Sequence, residues 1–371
     1  MRDSSRVWSV AGSLIGLLAV GAGVAVGDLQ RRSLFFNGRE RTWLVNVPES
    51  FRPGRPTPLV IAMHGGGGSA ERFEPESGWT PVSEREGFIV VYPDGGLDPA
   101  GGGLAWDSFD FSNSPPNDLD FLLALVSFVK REFPIDDRRV YLTGFSNGSQ
   151  MTNTLACSYA DVFAAFAPVS GGWITAFGQG EQLCRPNNTV PTWIWRGENE
   201  LQDFNGSGIN RLTQDLQQLA FWRGFNDPAP TPAIVREVLP INDQGETRLY
   251  TTQVFARRPG FSAEVRFTVV SDFGHAYFPN AAELIWSDFF SRTVRPAGSP
   301  ADIADFLGLF RPDGVVDAND FVAFIAAWAN PNFVGAQFVD IADFLGFPEP
   351  DGVVDAADFV AFLSALVEEG L

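Results

Sequence analysis

The sequence predicts an α/β domain built on a mostly parallel sheet, and three observations carry that prediction. Short apolar runs rich in β-branched and aromatic residues recur along the chain, turn-forming residues bound them, and stretches with helix spacing lie between them. Strands that alternate with helices are joined by crossovers, and a crossover lays its two strands parallel.

The elements follow in chain order. Residues 1–27 read as a secretory signal: Arg2 and Arg6 supply a positive start, Val7–Val26 is apolar, and Ala25–Gly27 offers a small-x-small cleavage site. The apolar run approaches the length of a membrane span, so a retained anchor is the alternative to a mature chain that does not cross a membrane. Leu34–Phe36 and Thr42–Val47 flank Asn37 and Gly38, a hairpin signal. Pro58–Met63, Phe88–Tyr92, Arg139–Thr143 and Pro191–Trp195 read as buried strands, with helices predicted over Asp118–Phe133 and Ser149–Tyr159. Val265–Val270 is the last strand candidate. Arg295–Pro300 has the composition of a linker. The predicted organisation is a signal at 1–27, a hydrolase domain at 28–295, a linker at 296–300 and a small module at 301–371.

Composition narrows the functional classes. With 45% hydrophobic residues, 34 Phe and 10 Trp among 371, the chain has ample material for a packed core. A formal charge of −19 argues against nucleic acid as a partner, because phosphates demand a basic face. Cys157 and Cys184 are the two cysteines and are expected to pair in an oxidising compartment, tying the helix after residue 148 to the segment entering the Pro191–Trp195 strand.

The residues that carry chemistry stand at a few points. Gly144–Gly148 (GFSNG) is a G-x-S-x-G pentapeptide between a strand candidate and a helix candidate. A sharp strand-to-helix turn at a strained nucleophile needs small residues two places to either side, so Ser146 is the nucleophile candidate. The chain holds two histidines. His64 opens the run Gly65–Gly68, whose amides near Gly65 and Gly66 can turn inward to hold an oxyanion together with the amide of Asn147. His64 is expected to orient that loop by hydrogen bonding. His275, on the loop after the last strand, is the base, since imidazole exchanges protons near neutral pH. The loop after Pro191–Trp195 offers three carboxylates as the acid: Glu198, Glu200 and Asp203. The order serine, acid, histidine is that of an α/β hydrolase. Trp106, Phe109, Phe111 and Tyr277 are expected to line an open cleft, with Trp106 and Tyr277 binding substrate.

These stretches resemble the secreted polyhydroxybutyrate-depolymerase and feruloyl-esterase family of α/β hydrolases, which also includes acetylxylan esterases. The resemblance covers about residues 32–292 and rests on Pro58–Gly68, Glu86–Asp94, Asn117–Phe121, Asp137–Gly148, Leu155–Cys157 and Phe163–Pro168. It implies a three-layer sandwich around a mostly parallel sheet, with Ser146 as nucleophile, His275 as base and no cofactor for catalysis. The family usually carries its acid as Asp in G-x-x-D. Here Gly197–Glu200 puts Glu200 at that place. The expected activity is hydrolysis of polymeric or aryl esters through an acyl-enzyme. The same chemistry with water excluded would make an acyltransferase, and a scaffold stripped of chemistry would make a binding protein. The presence of nucleophile, base and glycine run together disfavours the last.

The module at 301–371 repeats itself. Asp302–Gly308 recurs as Asp340–Gly346 and Pro312–Ala318 as Pro350–Ala356, at an offset of 38 residues. It holds thirteen acidic residues and one basic residue, Arg311. The repeats resemble dockerin-type, EF-hand-like modules. Asp313, Asp317 and Asp320, with Asp351, Asp355 and Asp358, suit positions 5, 9 and 12 of a calcium loop, whereas Leu309, Arg311 and Phe347 do not suit positions 1 and 3. Calcium loops and a metal-free helical pair therefore both stand. Either form would give the module a face for a partner at the cell surface or in a secretion apparatus.

Overall fold

The computed structural model describes residues 27–295 except 28, 98–102, 109–117, 173–183, 185, 187, 202–210, 243, 260 and 261. Ten strands form one sheet in the order β1-β2-β4-β3-β7-β8-β9-β12-β11-β10. They are β1 (Leu29–Phe36), β2 (Arg39–Asn46), β3 (Thr57–Met63), β4 (Ile89–Pro93), β7 (Ile135–Phe145), β8 (Ala165–Val169), β9 (Thr192–Gly197), β10 (Ala233–Pro240), β11 (Thr247–Phe255) and β12 (Val265–Val270). A two-stranded ribbon, β5 (Gly96–Leu97) with β6 (Leu104–Ala105), stands apart. The six central strands β4, β3, β7, β8, β9 and β12 run parallel, and antiparallel pairs close both edges. The hairpin at Asn37 and Gly38 forms as expected, both residues adopting positive φ.

The described helices are α1 (Ala70–Ser77), α2 (Trp79–Glu86), α3 (Asp118–Glu132), α4 (Asn147–Ser158), α5 (Arg211–Asn226) and α6 (Ala281–Asp288). They cover both sheet faces, so the inner strands are apolar on both sides, as parallel strands between helix layers must be. In β3, Leu59, Ile61 and Met63 join Phe121, Leu122 and Leu155 of α3 and α4 in one core, while Val60 and Ala62 join Phe73, Trp79 and Ile285 of α1, α2 and α6 in the other. None of the described helices is long and apolar enough to cross a membrane.

Register places the functional loops. Met63 pairs with Gly144, Phe145 with Val169, and Gly197 with Val270. The chain therefore leaves β3, β7, β8, β9 and β12 together at the carboxyl ends of the parallel strands, where an α/β sheet gathers its ligands. The Cys157–Cys184 disulfide joins α4 to the segment before β9, with the Cα atoms 4.9 Å apart. A cross-link of this span stabilises by about 3 kcal/mol, mainly by restricting the unfolded chain. The signal, linker and repeats, at 1–27 and 296–371, lie outside the described residues apart from Gly27, and so do the six acidic residues proposed for calcium.

Candidate active site

Ser146 sits where β7 breaks into α4, with φ 54° and ψ −113°. An L-residue adopts that conformation at a cost of about 1–3 kcal/mol, so the surroundings must impose it. They do so by close packing. A Cβ on Gly144 would lie 2.4 Å from the Gly148 carbonyl oxygen, and one on Gly148 would lie 2.4 Å from that of His64. Both glycines are required for contact rather than for φ. The Ser146 amide donates to the Val169 carbonyl (3.0 Å), which anchors the turn to β8.

His275 comes from the loop between β12 and α6. Its Nε2 lies 2.8 Å from Ser146 Oγ and its Nδ1 2.8 Å from Glu200 Oε2. Glu200 belongs to a 3₁₀ turn (Glu198–Leu201) that directly follows β9. Its other oxygen, Oε1, accepts from the Gly197 amide (3.0 Å) and stands 2.7 Å from the Ser170 hydroxyl. Burial pushes the Glu200 carboxyl up, but the His275 ring, the Arg196 guanidinium, the Gly197 amide and the Ser170 hydroxyl together hold it below the usual carboxylate range. An ionised Glu200 fixes the proton of His275 on Nδ1 and leaves Nε2 free to accept from Ser146. Glu198 turns away and accepts from the Asp272 amide (3.1 Å). Asp203 lies outside the described residues.

The glycine loop closes over the serine. A Cβ at Gly65 would lie 3.3 Å from Ser146 Cβ, and one at Gly66 3.6 Å from Asn147 Cβ. His64 holds this loop with both ring nitrogens: Nδ1 donates to the Gly65 carbonyl (2.7 Å) and Nε2 accepts from the Gly95 amide (2.9 Å). Burial lowers its proton affinity, and the nearby Gly65 carbonyl and the Asp94 and Asp118 charges offset that only in part. A buried ring with both nitrogens engaged has no lone pair for a substrate proton. Beside the loop lies a cavity of about 220 Å³, lined by the glycines, by Arg72, Phe73 and Glu76 of α1, and by Phe145.

Two expected substrate contacts are corrected. Trp106 is 3% exposed; its indole N–H donates to the His64 carbonyl (2.8 Å), and its ring lies 5.1 Å from the His64 ring. Asn147 fastens the Trp106 backbone by accepting from its amide (2.6 Å) and donating to its carbonyl (3.0 Å). Tyr277 is 5% exposed; its hydroxyl accepts from Trp79 Nε1 (2.7 Å) and lies 3.3 Å from Thr143 Oγ1. Burial raises the Tyr277 hydroxyl above its ordinary range. Both aromatics brace loops from inside, because indole and phenol groups taken from water need these polar partners. Phe109 and Phe111 lie outside the described residues.

Sequence reading missed two residues here. Ser170, at φ 51°, places its hydroxyl 2.7 Å from Glu200 Oε1 and 2.8 Å from the Ala276 carbonyl, bridging the acid's turn and the histidine's loop. Arg196, 1% exposed on β9, bonds Asp215 of α5 through Nε (2.7 Å) and also donates to the Gly171 carbonyl. No local motif marks either residue.

Residues 50–182 match the family model described as Esterase PHB depolymerase. The fold is that of the α/β hydrolases. A solved acetyl xylan esterase from Aspergillus awamori superposes with a TM-score of 0.53 at 20% identity, covering 71% of this chain and 99% of that one. Among curated proteins, the bifunctional acetylxylan esterase/xylanase XynS20E of Neocallimastix patriciarum is 32% identical over 58% of this chain and 28% of its own length. Poly(3-hydroxyalkanoate) depolymerase C of Paucimonas lemoignei is 35% identical over 49% of this chain and 43% of its own. Feruloyl esterase B of Thermothelomyces thermophilus is 26% identical over 61% of this chain and 78% of its own. The chain spans about a third of the first two curated relatives it matches, 28% and 32% of their lengths.

Proposed function

We propose that the chain is a serine carboxylic-ester hydrolase that works through an acyl-enzyme. The observation that carries this reading is the relay of 2.8 Å contacts from Ser146 through His275 to a buried Glu200, set at a strained elbow. Ser146 Oγ attacks the ester carbonyl while His275 Nε2 takes its proton. The amides near Gly65 and Gly66 and that of Asn147 hold the oxyanion. The proton then passes from His275 to the departing alcohol. Water repeats the sequence on the acyl-enzyme, with His275 again the base. Glu200 keeps the ring in the productive tautomer and balances the imidazolium charge.

The substrate class is a polymeric or aryl ester: acetylated or feruloylated polysaccharide, or a poly(3-hydroxyalkanoate). The named activities of the relatives support this range. The same reading takes 1–27 as an export signal and 301–371 as a tether, with calcium in the repeats decided by titration calorimetry on the full chain. The test of the activity is a panel of p-nitrophenyl esters, methyl ferulate, acetylated xylan and poly(3-hydroxybutyrate). Ser146→Ala is expected to lower kcat by about 10⁴- to 10⁶-fold on every ester that the wild type cleaves. Near-wild-type turnover in that variant rejects the mechanism.

A further inference from the structure

Against Glu200, at the same oxygen that meets His275, the structure holds a second charged group, the Arg196 guanidinium paired with Asp215. Arg196 Nη1 lies 3.6 Å from Glu200 Oε2, the oxygen that meets His275, and has no hydrogen-bond partner among the described residues. The rest of the guanidinium is fixed by Asp215, through Nε and Nη2, and by the Gly171 carbonyl. Arg196, Glu200 and Asp215 are each at most 3% exposed. The cation thus faces the acid as a charge rather than as a hydrogen-bond donor.

We propose that Arg196 and Asp215 are positioning residues that set the proton affinity of His275 through Glu200. The two carboxylates and the guanidinium together carry one negative charge, which an imidazolium at His275 would neutralise. Without Asp215, the Arg196 charge would cancel that of Glu200 and leave the imidazolium unsupported. Without Arg196, two buried carboxylates would face each other and over-stabilise it. The other charged groups near this relay are exposed or have partners of their own: Asp272 is exposed, and Arg248 pairs with Glu246. Glu198 bonds the Asp272 amide, and Arg248 lies 5.8 Å from the Phe273 ring. The polar neighbours Ser146 and Ser170 carry no charge. The sequence separations are 4 residues between Arg196 and Glu200 and 19 between Arg196 and Asp215, so strand, 3₁₀ turn and helix must all be in place to assemble the trio.

This inference rests on the esterase reading for its catalytic meaning, but its test does not require turnover. The chain holds two histidines, so the protonation midpoint of each ring can be followed separately by NMR of ring-labelled protein. Arg196→Gln is expected to move the His275 midpoint up by about one pH unit, and Asp215→Asn to move it down by a similar amount. The double variant should return it close to wild type, and Arg196→Lys, which keeps the charge, should leave it in place. In turnover assays the acid limb of kcat/KM should follow the same two directions. A purely structural ion pair predicts the same loss from either substitution and no opposite signs. Midpoints that move together, or that stay fixed in both variants, overturn the proposal. If Arg196→Gln does not fold, the isosteric Asp215→Asn still decides it: an upward or absent shift refutes the assignment. If wild type cleaves none of the esters, the esterase reading falls while the NMR result stands by itself.

Discussion

The two histidines occupy opposite situations around one nucleophile turn: the His64 carbonyl packs against Gly148, and the His275 ring meets Ser146. His64 is 1% exposed, and backbone groups take both of its nitrogens. His275 keeps 29% of its side chain exposed and spends its nitrogens on Ser146 and Glu200, two side chains that can exchange protons. What separates a structural imidazole from a catalytic candidate is therefore what its nitrogens touch. The largest expected effect follows from that contrast. His275→Ala should lower kcat by about 10³-fold or more with an unchanged melting temperature, and added imidazole should restore part of the rate. His64→Ala should instead lower the melting temperature and misplace the glycine loop, with a loss of about 10- to 100-fold that imidazole does not rescue. Equal rescue of both variants breaks the contrast.

The next effect concerns the second nitrogen of His275. Glu200→Gln keeps the shape but allows the amide to present a donor where Nδ1–H needs an acceptor, so the wrong tautomer is favoured. A fall of about 10²- to 10⁴-fold in kcat is expected. Glu198→Gln, which alters a contact to the Asp272 amide, should stay within about threefold of wild type. Kinetics of the two variants side by side settle which carboxylate serves the ring.

Each histidine also has an aromatic companion, Trp106 at the loop of His64 and Tyr277 two residues after His275. Tyr277→Phe removes the acceptor of a buried indole N–H and should destabilise the fold by about 1–3 kcal/mol in chemical denaturation. The KM values for a polymeric ester and for p-nitrophenyl acetate should both be unchanged. A rise confined to the polymer would show that the tyrosine meets substrate after all.

How much of this was legible in the sequence depends on how far apart the partners lie. Gly144 and Gly148 flank Ser146 because backbone crowds both positions, and that requirement leaves a five-residue mark. His275 stood out by scarcity, whereas the residues alone left three carboxylates open and only the family resemblance pointed to Glu200. The burial of Trp106 and Tyr277 is set by partners 42 and 198 residues away, so their position in glycine-rich and post-strand loops wrongly suggested a surface cleft. Arg196 and Ser170 left no trace for a similar reason, since Asp215 and Glu200 reach them across 19 and 30 residues of chain. Five of the six parallel strands were readable as apolar runs, whereas β8, whose five residues include two alanines and a proline, was not predicted as a strand. The antiparallel strands β10 and β11 were not expected from the sequence, because β10 is exposed along nearly its whole length and gives no buried-strand pattern.

The smallest effect sharpens the contrast through acid. In the unfolded chain a histidine titrates near about 6.5, whereas burial lowers the proton affinity of His64 in the fold. Between those two values the unfolded state binds the extra proton. The stability contributed by neutral His64 is thus present in full above about pH 6.5 and is lost as the pH falls below it, with a slope of at most about 1.4 kcal/mol per pH unit. Glu200 acts in the same direction but in a lower window. Its folded affinity is also depressed, so its contribution is present above the ordinary carboxylate value of about 4.3 and fades as the pH falls below that. Denaturant titrations from pH 8 to pH 5 should therefore show wild type losing stability while His64→Asn, which has no ring to protonate, loses less. If the two slopes coincide across that window, protonation of His64 does not oppose folding, and the backbone bonds to its ring are weaker than their geometry implies.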